Sequence, residues 1–162
     1  MIDNHLVRHY VKAMIGRRKS LIGSLMLAAL LSLAVVSSGA WAGELADANR
    51  GNPGQSLDVK RLLVKGKTTL IDFHSPFCPP CVQLAPIMAK LAAKRPDLAI
   101  KKVNINRPEV KGIDWHSPVA QQYQLQQVPY FMIFNPQGKL VAQGREAVGT
   151  VQSWLKEAGL ME

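Results

Sequence analysis

Apolar residues fall along this chain in distinct rhythms, and each rhythm predicts an element. Thr68-Thr69-Leu70-Ile71-Asp72-Phe73 is β-branched and apolar on both faces, the pattern of a central strand. Leu98 to Ile105 and Tyr130 to Phe134 are read as two further strands. Leu84, Ile87, Met88 and Leu91 recur at helical spacing, which predicts a helix from Cys78 to Lys94. Pro86 interrupts that helix and should kink it, because it has no N–H to give. Asn135-Pro136-Gln137-Gly138 is a turn signal, so Lys139 to Gln143 reads as a hairpin partner. Thr150 to Ala158 closes the pattern as a helix with Val151, Trp154 and Leu155 on one side.

Shorter pieces fill the gaps. Ser56 can cap a short helix from Leu57 to Val64, with Leu57, Leu62 and Leu63 available for packing, and Gly66-Lys67 ends it. Arg107 to Ser117 is irregular and carries Trp115 and His116. Pro118 to Tyr123 reads as one more short helix. The order βαβ, helix, hairpin, helix predicts an α/β fold with a mixed sheet covered by helices on both faces. At 162 residues the chain is long enough for one domain with a real core and too short for two comfortable ones.

The first 42 residues follow a different logic. Met1 to Ser20 is polar and positive and includes Arg17-Arg18-Lys19; Leu21 to Val36 then runs without a charge, and Ala40-Trp41-Ala42 follows. This is the order of a secretory signal peptide, with cleavage expected after Ala42. The alternative is an uncleaved anchor, but 16 uncharged residues are short against the roughly 20 a spanning helix needs. Arg17-Arg18 hints at twin-arginine export, yet Ser20 stands where that motif prefers an apolar residue, so the general route is favoured. The domain is therefore expected to work in the periplasm, or else to face it from an inner-membrane anchor. Gly43 to Gln55, with Gly51-Asn52-Pro53-Gly54, reads as a turn-rich linker, leaving 56–162 as the globular domain.

Charge changes the picture little. The net charge of +9 divides into +4 over residues 1–42 (five Lys/Arg, one acid) and +5 over 43–162 (fifteen against ten). The basic residues of the domain are scattered, so no nucleic-acid arm or polybasic membrane patch is expected.

Cysteine changes it a great deal. The only two, Cys78 and Cys81, stand C-x-x-C in Phe77-Cys78-Pro79-Pro80-Cys81, at the joint between the first strand and its helix. That is the layout of a thiol–disulfide exchange site. Cys78 lies where the helix begins, so unpaired N–H groups and the positive dipole end favour its thiolate. Pro79 and Pro80 fit a first turn but remove two donors. Cys81, one turn on, is expected to be the more buried and to resolve the mixed disulfide. A purely structural bridge closes too small a loop to stabilise much. Two cysteines cannot complete a zinc shell without His74 and His116, whose spacing points to no metal. Haem attachment needs His where Val82 stands. Asp72, an acid in an apolar strand, should have a raised pKa if buried, and near Cys81 it could take and return that thiol's proton. His74 is most simply a packing or surface residue; if it lies near Cys78, its ring would raise or lower the thiol's pKa.

Read together, residues 56–160 resemble the thioredoxin family. Leu70-Ile71-Asp72-Phe73 is similar to the family's central strand with its buried acid, and Pro86 falls where the family has its helix-kinking proline. Lys102 matches the lysine beside that acid, Val128-Pro129 the cis-proline, and Gly138 and Gly144 turn glycines. The resemblance implies a thioredoxin fold, a redox disulfide as the only cofactor, and a substrate surface of Phe77, Pro79, Pro80, Val128 and Pro129. It implies that Asp72 and Lys102 serve the Cys81 proton. Phe77 replaces the usual tryptophan, and His74 stands where an aromatic is common. Cys-Pro-Pro-Cys is similar to exported TlpA-like reductases. Phe-Cys-Pro and the valine before the proline also resemble DsbA-type oxidases, whose helical insert has no room here. Residues 108–117 form a loop longer than the minimal fold needs, which would shape partner choice. The readings that follow are a reductase of protein disulfides recharged by a DsbD-like membrane donor, an oxidase donating its disulfide, or a binding module without turnover.

Overall fold

A computed structural model describes residues 43–162; the expected signal peptide and its cleavage position lie outside the described residues. Five strands form one sheet in the order β1-β3-β2-β4-β5. They are β1 (Glu44–Asp47), β2 (Thr68–His74), β3 (Leu98–Asn104), β4 (Tyr130–Phe134) and β5 (Leu140–Gln143). β1 and β2 run parallel to β3, and β4 lies antiparallel to β2 and β5, so the sheet is mixed. Helices α1 (Pro79–Lys94), α2 (Pro118–Gln122) and α3 (Gly144–Glu157) complete the fold, with a 3-10 turn at Val59–Leu62.

Strand alternation divides the core in two. Leu70, Ile100, Phe131 and Ile133 face α1 and α3, where Met88, Leu91, Val151 and Leu155 meet them. Ile71, Phe73, Val103, Met132 and Phe134 face the other way, onto Val59, Val119, Ala120 and Leu125. The expected thioredoxin fold with helices on both faces of a mixed sheet is the fold observed. Pro86 lies inside α1 without ending it. It leaves the Val82 carbonyl without a helical donor, on a residue that is 56% exposed and so within reach of water. Gly138, at φ +78°, makes the β4–β5 turn, and Gly144, at φ +59°, opens α3.

Three expectations need correction. Residues 43–55 are not a linker. Glu44–Asp47 pairs with Ala99–Lys102, and the pairing continues as Ala48 donates to the Lys102 carbonyl (2.8 Å). Asn49 then grips Asn104 at both backbone groups, accepting from its N–H (2.9 Å) and donating to its carbonyl (2.8 Å). At the other end, Gly43 donates to the Ala92 carbonyl in the last turn of α1 (2.8 Å). Backbone pairing, not apolar side chains, holds this segment.

Second, the short helix after Ser56 shrinks to one 3-10 turn capped by Asp58, whose carboxylate accepts from Lys60 N–H (2.9 Å). The Gln122 amide and the Tyr123 hydroxyl hold both backbone groups of Leu57 and the Val59 N–H, which ties the segment to the end of α2. Third, α3 begins at Gly144, six residues before Thr150. Ala147, Val151 and Leu155, four apart and buried, carry its stripe through Gly149.

Gly54 marks how tightly the first segment is seated. It has φ +77°, and a Cβ there would lie 2.7 Å from Arg107 N. Gly54→Ala combines left-handed backbone with a clash against main chain and should destabilise the fold by about 2 kcal/mol or more. The midpoint of urea unfolding checks this; an unchanged midpoint would show that the segment can lift away at no cost.

Candidate redox site

The site forms at the carboxyl ends of the parallel strands, where β2 hands over to α1. Cys78 is the N-cap of α1, and its Sγ accepts from Cys81 N–H at 3.2 Å. Pro79 and Pro80 occupy the first helical positions, where no intrahelical donor is needed. Cys78 and Cys81 are joined as a disulfide, with Cα atoms 5.3 Å apart. The Val128–Pro129 bond is cis, and the Val128 carbonyl oxygen lies 3.5 Å from Cys78 Sγ. A disulfide sulfur has no proton to give that carbonyl; a Cys78 thiol would.

The expected burial order is reversed. Cys78 is 2% exposed and Cys81 7%, because the loop at Val128 closes over the first sulfur. Around this buried pair the surface is apolar: Phe77 is 43% exposed, Pro79 and Pro80 are exposed, and Val128 and Pro129 are half-buried.

Beneath the dithiol lies a polar row in an apolar sheet. Asp72 on β2 is in register with Lys102 on β3, and Lys102 with Asp47 on β1; Phe131 flanks Asp72 on the other side. Asp72 is buried, and its Oδ1 has no hydrogen-bond partner. Burial pushes its carboxyl up to about 7, with the Lys102 charge opposing. Lys102 Nζ lies 3.3 Å from Asp47 Oδ1. His74, two residues beyond Asp72 on the same strand, is pushed down to about 4 by burial, then by Lys102. Its ring is therefore neutral at pH 7 and brings no positive charge to the Cys78 thiolate.

The backbone that carries Cys78 is pinned from behind. Ser75, fully buried, accepts from Phe77 N–H at its hydroxyl (3.1 Å) and from Cys78 N–H at its carbonyl (3.2 Å). The same hydroxyl donates to Asn106 Oδ1 (2.6 Å), which also faces Asp114 N–H, while Asn106 Nδ2 donates to the Gly112 carbonyl. Arg107 clasps Asp114 with two bonds, 2.7 and 3.0 Å, and holds that carboxyl below the usual range. The long loop at 108–117 is thus fastened to the active-site turn. The pattern of apolar positions did not reveal Asp47, Ser75, Asn106 or Asp114. The Asn104, Asn106, Asp114 cluster of local cappers was the available signal.

Residues 58–157 match the family profile described as Thioredoxin. A thioredoxin-like protein of Fusarium culmorum is 35% identical over 94 residues, which cover 56% of this chain and 70% of that protein. A thioredoxin of Chlamydia pneumoniae is 35% identical over 65 residues, covering 40% of this chain and 56% of that one. The crystal structure of thioredoxin from Trypanosoma brucei brucei is 18% identical, covers 75% of this chain and 95% of its own, and has a TM-score of 0.48.

Proposed function

This chain belongs to the thioredoxin family, and from that premise we propose that it reduces protein disulfides outside the cytosol through Cys78 and Cys81. The observation that carries the reading is the placement of Cys78 Sγ at the cap of α1, receiving the Cys81 N–H. A thiolate there gains the hydrogen bond and the positive end of the helix dipole. In the reaction, Cys78 Sγ attacks one sulfur of a substrate disulfide. The S–S bond breaks, the leaving sulfur departs as a thiolate and takes a proton from water. Cys81 loses its proton to the Asp72 carboxylate and attacks Cys78 Sγ. The second substrate thiolate leaves, and the Cys78–Cys81 disulfide forms. Two electrons pass from the dithiol to the substrate.

Asp72 suits the proton transfer because its carboxyl is buried, lacks a partner at Oδ1, and titrates near neutrality. Lys102 moderates it. Phe77, Pro79, Pro80, Val128 and Pro129 offer an extended substrate segment an apolar surface beside the sulfurs. The leader-like residues 1–42 favour export to the periplasm, cleaved or anchored, and a DsbD-like membrane donor would return the electrons. Cys-Pro-Pro-Cys, similar to TlpA-like reductases, favours reduction over oxidation. The test is the reduction potential of the purified chain, equilibrated against glutathione. A value near about −270 mV supports a reductase; one near about −120 mV makes the protein a disulfide donor instead.

A further inference from the structure

Two carboxylates of this site compete for one cation. Lys102 stands between Asp47 and Asp72 on adjacent strands, in register with both. Its ammonium lies with Asp47, at 3.3 Å, while Asp72 Oδ1 has no hydrogen-bond partner. Asp47 is held in place by the two residues that follow it. Ala48 pairs with the Lys102 carbonyl, and Asn49 brackets Asn104, so the end of β1 cannot drift from β3.

We propose that Asp47 is a positioning residue for the redox reaction: by holding the Lys102 ammonium it sets how much positive charge Asp72 feels, and so tunes proton transfer with Cys81. This rests on the reading of Asp72 as the acceptor of that proton. The physical basis is a flexible side chain between two carboxylates about one strand spacing, roughly 4.8 Å, to either side. Neutralising Asp47 frees the ammonium for Asp72 and also removes a like charge from its surroundings. Both changes favour the ionised form of Asp72.

The other groups facing this row do not supply the same control. On β2, His74 is neutral at pH 7. On β4 the neighbour is Phe131, and α1 brings Cys81 in its first turn. Arg50, 3.6 Å from Asp47, is 84% exposed and tied to the surface. A pocket of about 240 Å³ lined by Asp47, Arg50, His74 and Lys102 lies beside the ion pair.

The experiment titrates the Asp72 carboxyl by 13C NMR in the reduced full chain, for the parent, Asp47→Asn and Asp47→Glu. It runs beside the pH dependence of protein-disulfide reduction and the melting temperature. In Asp47→Asn the Asp72 midpoint should move to lower pH. Turnover at pH 6 relative to pH 8 should rise about fivefold if the midpoint falls by one pH unit. Asp47→Glu should restore the parent values. An Asp72 midpoint that stays put in Asp47→Asn overturns the proposal, whatever the melting temperature does. A parent without exchange activity sinks the functional reading alone, since the titration still decides whether Asp47 governs Asp72.

Discussion

Asp72→Asn should make the folded protein more stable at pH 8 by about 4 kcal/mol, with the gain vanishing near pH 4. Asp72 is 5% exposed, and burial raises its carboxyl from 3.8 to about 7. Below pH 3.8 the carboxyl is neutral in both folded and unfolded chains and shifts nothing. Between 3.8 and 7 the unfolded chain ionises freely while the folded one holds its proton, so stability falls as pH rises. Above 7 the full cost is present. Asparagine has nearly the same shape and never ionises, so it escapes that cost. His74 runs the other way. Its folded value of about 4, against 6.5 unfolded, means stability is lost as pH falls from 6.5 to 4. In the parent the two slopes oppose each other between pH 4 and 6.5. The variant should expose the His74 slope alone. Urea unfolding at pH 4, 6 and 8 reads all of this; an equal gain at pH 4 and pH 8 would mean the Asp72 charge is not its source.

The second large effect concerns the sulfurs. Cys78→Ser should lower protein-disulfide reduction by about a thousandfold or more, because a serine hydroxyl is a weak nucleophile at neutral pH without an activating base. Cys81→Ser should instead stall after the first step and accumulate mixed disulfides that a small thiol releases. Turbidity of reduced insulin and non-reducing gels measure the two. The burial order gives the comparison its edge: Cys78 is 2% exposed and Cys81 7%, so exposure does not mark Cys78 as the attacker. The helix cap and the Cys81 N–H do. If Cys78→Ser is the variant that traps substrates, the roles are exchanged. If both variants keep full biological function, the protein is a binding module and the dithiol is incidental.

The parts of this fold that were legible are those where one short stretch carries its own cause. Thr68–Phe73 is apolar on both faces, and only a central strand can use that. Asp72 stood out as the acid within it. β1 was illegible for the opposite reason. Glu-Leu-Ala-Asp has one large apolar residue, Leu45, and that one is 40% exposed. Its place follows from backbone pairing to residues some fifty positions away, which no local pattern records. Asp47 was lost with it, since register alone brings it to Lys102. Ser75 and Asn106 meet across 31 positions by the same route. The helix expected from Thr150 starts at Gly144, and Ala147 already belonged to its stripe, on the far side of Gly149.

The Gly43–Ala92 hydrogen bond has a consequence for tethering. Gly43 bonds to Ala92 in the last turn of α1, and the cysteines sit at its first, roughly 20 Å away along the helix axis. An attachment made at Gly43 would therefore sit at the pole opposite the chemistry. Immobilised at Gly43, the domain keeps its working surface turned outward, with most of α1 between support and substrate.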